Sequence, residues 1–175
     1  TSVEITIAAT DDQDVSNKMT LKIKVTGGGF VLTPERSGYS IYSPKSGKAD
    51  AFSFRTLQPL KKSSESEDCD IIFIDSEEND AMPRQWGTGT DIVFCKANNF
   101  DYASASKASI SAIFNNSIRF DSVDNLQPDD IILIGRDTKI EGTTNLNPLG
   151  VIKIIAIYDE EGTNNDRMIF NLKAL

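Results

Sequence analysis

Apolar and polar residues alternate with a period of two in Val3-Glu-Ile-Thr-Ile7 and again in Leu21-Lys-Ile-Lys-Val25. Successive side chains of a strand point to opposite faces, so this spacing predicts two half-buried strands. Asp11-Asp-Gln-Asp14 and Ser16-Asn17 lie between them and carry turn chemistry. The expected element is a hairpin. A lone hairpin is marginal in water, so its apolar positions (Val3, Ile5, Ile7, Leu21, Ile23 and Val25) need a further surface to rest on. Gly27-Gly-Gly29 follows. These glycines read either as a hinge after a terminal piece spanning 1–26, or as a tight bend if the hairpin extends the main sheet.

From Phe30 to Leu175 the pattern is rich in strands. Gly38–Tyr42 and Ala51–Arg55 are strand candidates, separated by a turn from Pro44 to Gly47. Two continuous apolar runs, Asp70–Ile74 and Asp91–Cys95, predict strands buried on both faces. Solvated loops are expected at Leu57–Asp70 and Asp75–Thr90. The spacing of Tyr102, Ala105, Ile110, Ile113 and Phe114 predicts one helix over 102–115, with Asp101 as its N-cap. Gln127-Pro-Asp-Asp130 is a turn with proline at its second position. Ile131–Ile134 follows as a strand. Val151–Tyr158 and Met168–Leu172 form a closing hairpin. The expected fold is mainly β: an antiparallel β-sandwich or barrel with one short helix, in residues 30–175, preceded by the hairpin.

Charge narrows the partners. Lys and Arg total 18 against 26 Asp and Glu, a formal net charge of −8 over 175 residues. Such a surface disfavours nucleic acid and anionic lipid. No apolar run approaches the ~20 residues of a membrane helix. The chain has no histidine. That removes Ser-His-Asp and Cys-His catalysis, His-bound zinc and His-ligated haem together; carboxylates, Lys, Tyr and two cysteines remain for chemistry, and the expectation is no resident cofactor.

Three groups of residues are candidates for chemistry. Trp86, in Met82-Pro-Arg-Gln-Trp-Gly-Thr-Gly89, presents a flat face for a sugar with Arg84 and Gln85 as hydrogen-bonding neighbours, or else folds back to anchor its loop. Asp11/Asp12/Asp14, Asp75/Glu77/Glu78/Asp80 and Asp159/Glu160/Glu161/Asp166 are acidic clusters that either hold calcium or are solvated turns; Asp75, Glu77 and Asp80 are the metal candidates. Cys69 and Cys95 are equidistant from Met82. If the intervening chain closes an antiparallel pair there, they face each other as a disulfide candidate. Otherwise they are two small buried hydrophobes.

Two resemblances add to this reading. The stretch VEITIAATDDQDVSNKMTLKIKV resembles the last two strands of a bacterial immunoglobulin-like domain. The strand pattern of Ala51-Phe-Ser-Phe54, Cys69–Phe73, Pro128–Ile134, Val151–Ile157 and Met168–Leu172 resembles a module of secreted and surface lipoproteins of Bacteroidetes. That module carries glycine where this chain has Asp129. The resemblance implies an exported, cell-surface or periplasmic module, noncatalytic, with a lipid anchor upstream and a glycan or surface protein as ligand. The opening strands are also similar to haem-capturing lipoproteins of the same phylum, which implies a ligand-carrying alternative with Met82 as the axial candidate.

Overall fold

The computed structural model describes residues 2–10, 16–24, 32–63, 66–74, 81–140 and 143–175. The predicted hairpin is present: β1 (Ser2–Thr10) pairs antiparallel with β2 (Ser16–Lys24). Its register sets Val3 opposite Ile23, Ile5 opposite Leu21 and Ile7 opposite Met19. The glycines at 27–29 lie outside the described residues.

The rest is a sandwich of two antiparallel sheets and one helix. The larger sheet is built from β3 (Arg36–Tyr42), β8 (Ile92–Lys96), β10 (Ile131–Ile140), β11 (Thr143–Tyr158) and β12 (Arg167–Ala174), in the order β3-β12-β11-β10-β8. The smaller sheet comprises β4 (Ala51–Ser53), β5 (Gln58–Leu60), β6 (Ile71–Phe73), β7 (Trp86–Gly87) and β9 (Ser122–Val123), in the order β5-β4-β6-β7-β9. The sheets do not close into a barrel. At one corner a two-way backbone pair joins them: Phe94 N–H donates to Phe120 O at 2.8 Å and Phe120 N–H returns to Phe94 O at 3.2 Å.

The hydrophobic pattern tells which faces are covered. Ile132, Ile134, Ile152, Ile154, Ile92 and Phe94 point inward and meet Phe52, Ile71, Phe73 and Trp86 of the smaller sheet. Their neighbours of opposite parity, Ile131, Leu133, Val151 and Cys95, face the other way and pack under α1 (Lys107–Asn116) through Ile110 and Phe114. These strands are buried on both faces, so their sequences are apolar without alternation. On β12 only Met168, Phe170, Leu172 and Ala174 are buried. Its other face carries Arg167, Ile169, Asn171 and Lys173, polar at all but Ile169.

The run at Asp70–Ile74 breaks its expectation of two buried faces. Ile71 and Phe73 are buried, but Ile74 is exposed, because β6 belongs to the smaller sheet and nothing like α1 covers its outer side among the described residues. The helix also begins later than expected. Asp101 does not cap it: Asp101 accepts Ala103 N–H, Ser104 N–H and the Ser104 hydroxyl, closing a separate turn. These bonds hold its carboxyl below the usual carboxylate range. The N-cap is Ser106, whose hydroxyl accepts Ser109 N–H at 3.1 Å while Ser106 N–H donates to Ser109 Oγ at 2.9 Å. This reciprocal arrangement is a capping box with serine in place of the usual glutamate. A helix of ten residues is too short to persist alone; burying Ile110 and Phe114 contributes roughly 1.5–3 kcal/mol each.

The turn before β10 sets Asp129 in a backbone conformation that favours glycine. Asp129 has φ of 70° at the third position of the Gln127–Asp130 turn, the left-handed region that glycine enters freely. Its carboxylate pairs with Lys153 at 2.9 Å but is 84% exposed, so the pair adds little. Asp129→Gly is expected to stabilise the protein by about 0.5 kcal/mol, whereas Asp129→Val costs about 1–2 kcal/mol. Thermal melts of the two variants against the parent check this. Gly150 is required for a different reason: a Cβ there would overlap the Lys173 carbonyl oxygen on β12.

Candidate functional site

Phe94 is the last residue of β8 whose backbone meets the segment leading into β9. Two residues further along an antiparallel ladder, Lys96 would face Ile118. Among the described residues no backbone hydrogen bond joins them. The 117–120 segment leaves the sheet edge there, and a cleft of about 620 Å³ opens at the corner. Its lining comes from β8 at Phe94–Lys96, from Ile118 and Phe120 of the departing segment, and from Gln85, Val123 and Asp124.

Two large apolar side chains rim this cleft. Ile118 is 74% exposed and Phe120 55% exposed, the most exposed large hydrophobics among the described residues. Arg119 between them turns the other way and pairs with Asp137 on β10 at 2.7 Å.

Lys96, the cation of the lining, is engaged. Lys96 Nζ lies 2.6 Å from Asp130 Oδ2 and donates to the Asn125 carbonyl at 2.9 Å. Asp130 is itself buried and accepts Gln127 N–H at 2.8 Å and Asn98 Nδ2 at 2.8 Å. The lysine charge is therefore neutralised within the protein. Asp124 is exposed at the rim.

The sequence candidates fall in different places. Gln85 lines the cleft, and its carbonyl accepts Ile74 N–H at 3.0 Å. Arg84 does not line it; its guanidinium donates to Gln127 Oε1 at 3.0 Å and its carbonyl accepts Leu126 N–H, so it braces the loop behind. Trp86 is a correction to the exposed-platform reading. It is 0% exposed, pairs with Val123 in the ladder and sets its ring edge-on to Phe170 at 5.7 Å. A ring enclosed by core side chains has no face left for a sugar. Its indole Nε1 has no hydrogen-bond partner among the described residues. The aromatic ring that is presented belongs to Phe120, which the sequence reading passed over because it lies in a short polar stretch, Arg119–Asp121, without strand alternation of useful length.

Cys69 and Cys95 are not joined. The pairing that would have opposed them does not form: β6 pairs with β4 and β7 in the smaller sheet, while β8 pairs with β10 in the larger. Cys69 packs with Ala51 and Leu60, and Cys95 lies under the helix. Met82 is buried in the core, so its thioether is not presented to a surface ligand.

The acidic clusters at 11–14 and 75–80, with Asp75, Glu77 and Asp80, lie outside the described residues. In the third, Asp166 is buried and accepts Glu160 N–H at 2.8 Å, while Asp159 accepts Met82 N–H at 3.0 Å. These carboxylates bind backbone groups rather than one shared point. Among the described residues no set of three or more acidic or cysteine side chains gathers as a metal site.

A second hollow, of about 640 Å³, lies where Leu32–Glu35 meets Tyr102 and Lys173. Lys173 Nζ sits 4.9 Å from the centre of the Tyr102 ring and donates to the carbonyls of Tyr102 and Ala103. Burial, and then the negative charge of Glu35, push the Tyr102 phenol above its ordinary value. The phenol is thus neutral at physiological pH, and the lysine is occupied by main-chain oxygens.

No helix among the described residues is long and apolar enough to cross a membrane. Comparison with protein-family models, curated proteins and solved structures finds no match. The class that the structure defines is an antiparallel β-sandwich with one helix on its outer face and an N-terminal hairpin.

Proposed function

We propose that this chain is a noncatalytic binding or adhesion module of an exported surface protein, and that the corner cleft is its ligand site. The exposure of Phe120 and Ile118 on the rim of a cleft of small-molecule size carries the reading. Side chains of this size are normally turned inward, and apolar groups held open beside a concavity mark a contact surface. The lack of histidine supports a role without acid–base chemistry, as does the engagement of Lys96 by Asp130. Export, with a lipid anchor upstream, is supported by the resemblance of the strand pattern to surface lipoproteins.

Binding of the purified protein to glycan and protein arrays tests this. The expected result is binding that the double variant Ile118→Ser, Phe120→Ala removes while its melting temperature stays within a few degrees of the parent, since both side chains are largely solvated. Binding that survives the double variant would place the ligand elsewhere.

A further inference from the structure

The lining of the corner cleft also carries information about what it takes. We propose that the cleft binds a short, neutral carbohydrate, with the exposed ring of Phe120 stacking on a sugar, Gln85 accepting or donating hydrogen bonds at its edge and Asp124 accepting them. This rests on the cleft being the ligand site.

Three observations favour that occupant. The exposed ring at the rim is aromatic, and the apolar face of a pyranose covers such a ring with its C–H groups while its hydroxyls point to the sides. Gln85 and Asp124 line the same cleft as the ring. A planar amide and a carboxylate are suited to the neighbouring hydroxyl pairs of a sugar, since each offers two polar atoms at fixed spacing. Charge then selects among sugars. Lys96, the cation lining the cleft, is neutralised by Asp130 at 2.6 Å, and the chain as a whole carries −8. An anionic ligand such as a uronic-acid or sulfated glycan would approach a negative protein and find no available cation in the lining. A neutral glycan has no such cost.

An extended peptide is the competing occupant, because the outward backbone of Lys96 is a one-residue sheet edge. One residue offers a single N–H and C=O pair. A strand added there would have few main-chain bonds, and the cleft would contact it mainly through Ile118 and Phe120.

Amide chemical-shift mapping separates these possibilities. A panel of neutral disaccharides, the same disaccharides with one ring oxidised to a uronic acid, and a set of unstructured valine- and threonine-rich peptides are titrated at millimolar concentration into the isotope-labelled chain. The expected result is that at least one neutral disaccharide shifts the amides of Lys96, Phe120 and Asp124. Its acidic counterpart should bind more weakly, and Phe120→Ala should raise its Kd by up to about tenfold. Phe120→Tyr, which keeps the ring, should restore most of that affinity. Shifts at these amides from peptides alone would overturn the sugar assignment and leave the cleft as the site. Binding by the acidic sugars in preference to the neutral ones would overturn it as well. No shift at the cleft from any probe would overturn both the assignment and the cleft itself.

Discussion

Asp70→Ala is expected to lower stability by about 3–5 kcal/mol, because it removes one side of a buried charge network. The Asp70 side chain is 3% exposed. Its Oδ2 accepts Phe54 N–H at 2.6 Å, and its Oδ1 accepts from Thr90 Oγ1 at 3.1 Å and Arg136 Nη2 at 2.9 Å. Those partners come from the end of β4, the approach to β8, and β10. One carboxylate therefore joins the smaller sheet to the larger. Alanine would leave the Phe54 N–H without its acceptor, at the usual penalty for an orphaned group. Arg136 would suffer less, since it is 36% exposed and still lies 3.1 Å from Asp91. Asp70→Asn keeps an oxygen for Phe54 and should cost less than alanine. Urea denaturation of both variants gives the comparison. A loss below about 1 kcal/mol for alanine would mean the network is structurally idle.

Phe170→Ala is the second large effect, expected to cost about 3–5 kcal/mol. Phe170 is 0% exposed on β12. Its ring meets Phe52 at 5.3 Å and Trp86 at 5.7 Å, both edge-on, and Tyr39 at 5.6 Å nearly stacked. Phe52 and Trp86 belong to the smaller sheet, so this ring is where the two layers interlock. Truncation removes the aromatic contacts and opens a cavity that the β12 backbone cannot close, being paired with β11 and β3. Trp86, the one tryptophan of the chain, reports on it directly. Its emission should shift to the red in the folded variant if water enters the cavity, and the denaturation midpoint should fall. Phe120→Ala is the contrast: the same chemical change at an exposed ring should leave stability nearly unchanged.

These two cases bear on how much could be read beforehand. Phe170 was legible as part of the apolar strand Met168–Leu172, and each even position of β12 from 168 to 174 is buried. Asp70 was not. Its residue type and neighbours suggested a strand start, and nothing local distinguishes it from the solvated acids around it. Its partners Phe54, Thr90 and Arg136 lie 16, 20 and 66 residues away in the chain. The same contrast separates the two apolar runs. In the second, Cys95 and Val93 pack in the cluster under α1, while the outer side of β6 meets only the small cluster of Ala51, Leu60 and Cys69 through Ile72 and leaves Ile74 exposed. Both read alike in sequence, since periodicity reports the faces a strand could bury and not what lies over them.

The cleft shows the limit most plainly. Gln85 was named for its nearness to Trp86, and it does line the cleft. Trp86 itself turned inward, and the exposed ring comes from Phe120, 34 positions further on. β7 and β9 have two residues each, too few for any alternation to be seen. The disulfide reading failed for a related reason. It assumed that the two apolar runs paired with each other, whereas the chain crosses between sheets from β6 to β8.

By itself the sequence determined the class of fold and most of the long strands. Period-two alternation, turn residues and the shortage of helical patterning are local properties, and sheets form wherever such segments can stack their apolar sides. It also removed histidine chemistry outright, because composition needs no folding. The tertiary structure alone decided the partnership of strands, the burial of Asp70, Trp86 and Met82, and the opening between β8 and the 117–120 segment. Each of these depends on contacts between residues far apart in the chain, where the free energy of packing is set by which surfaces meet and not by the preferences of either segment.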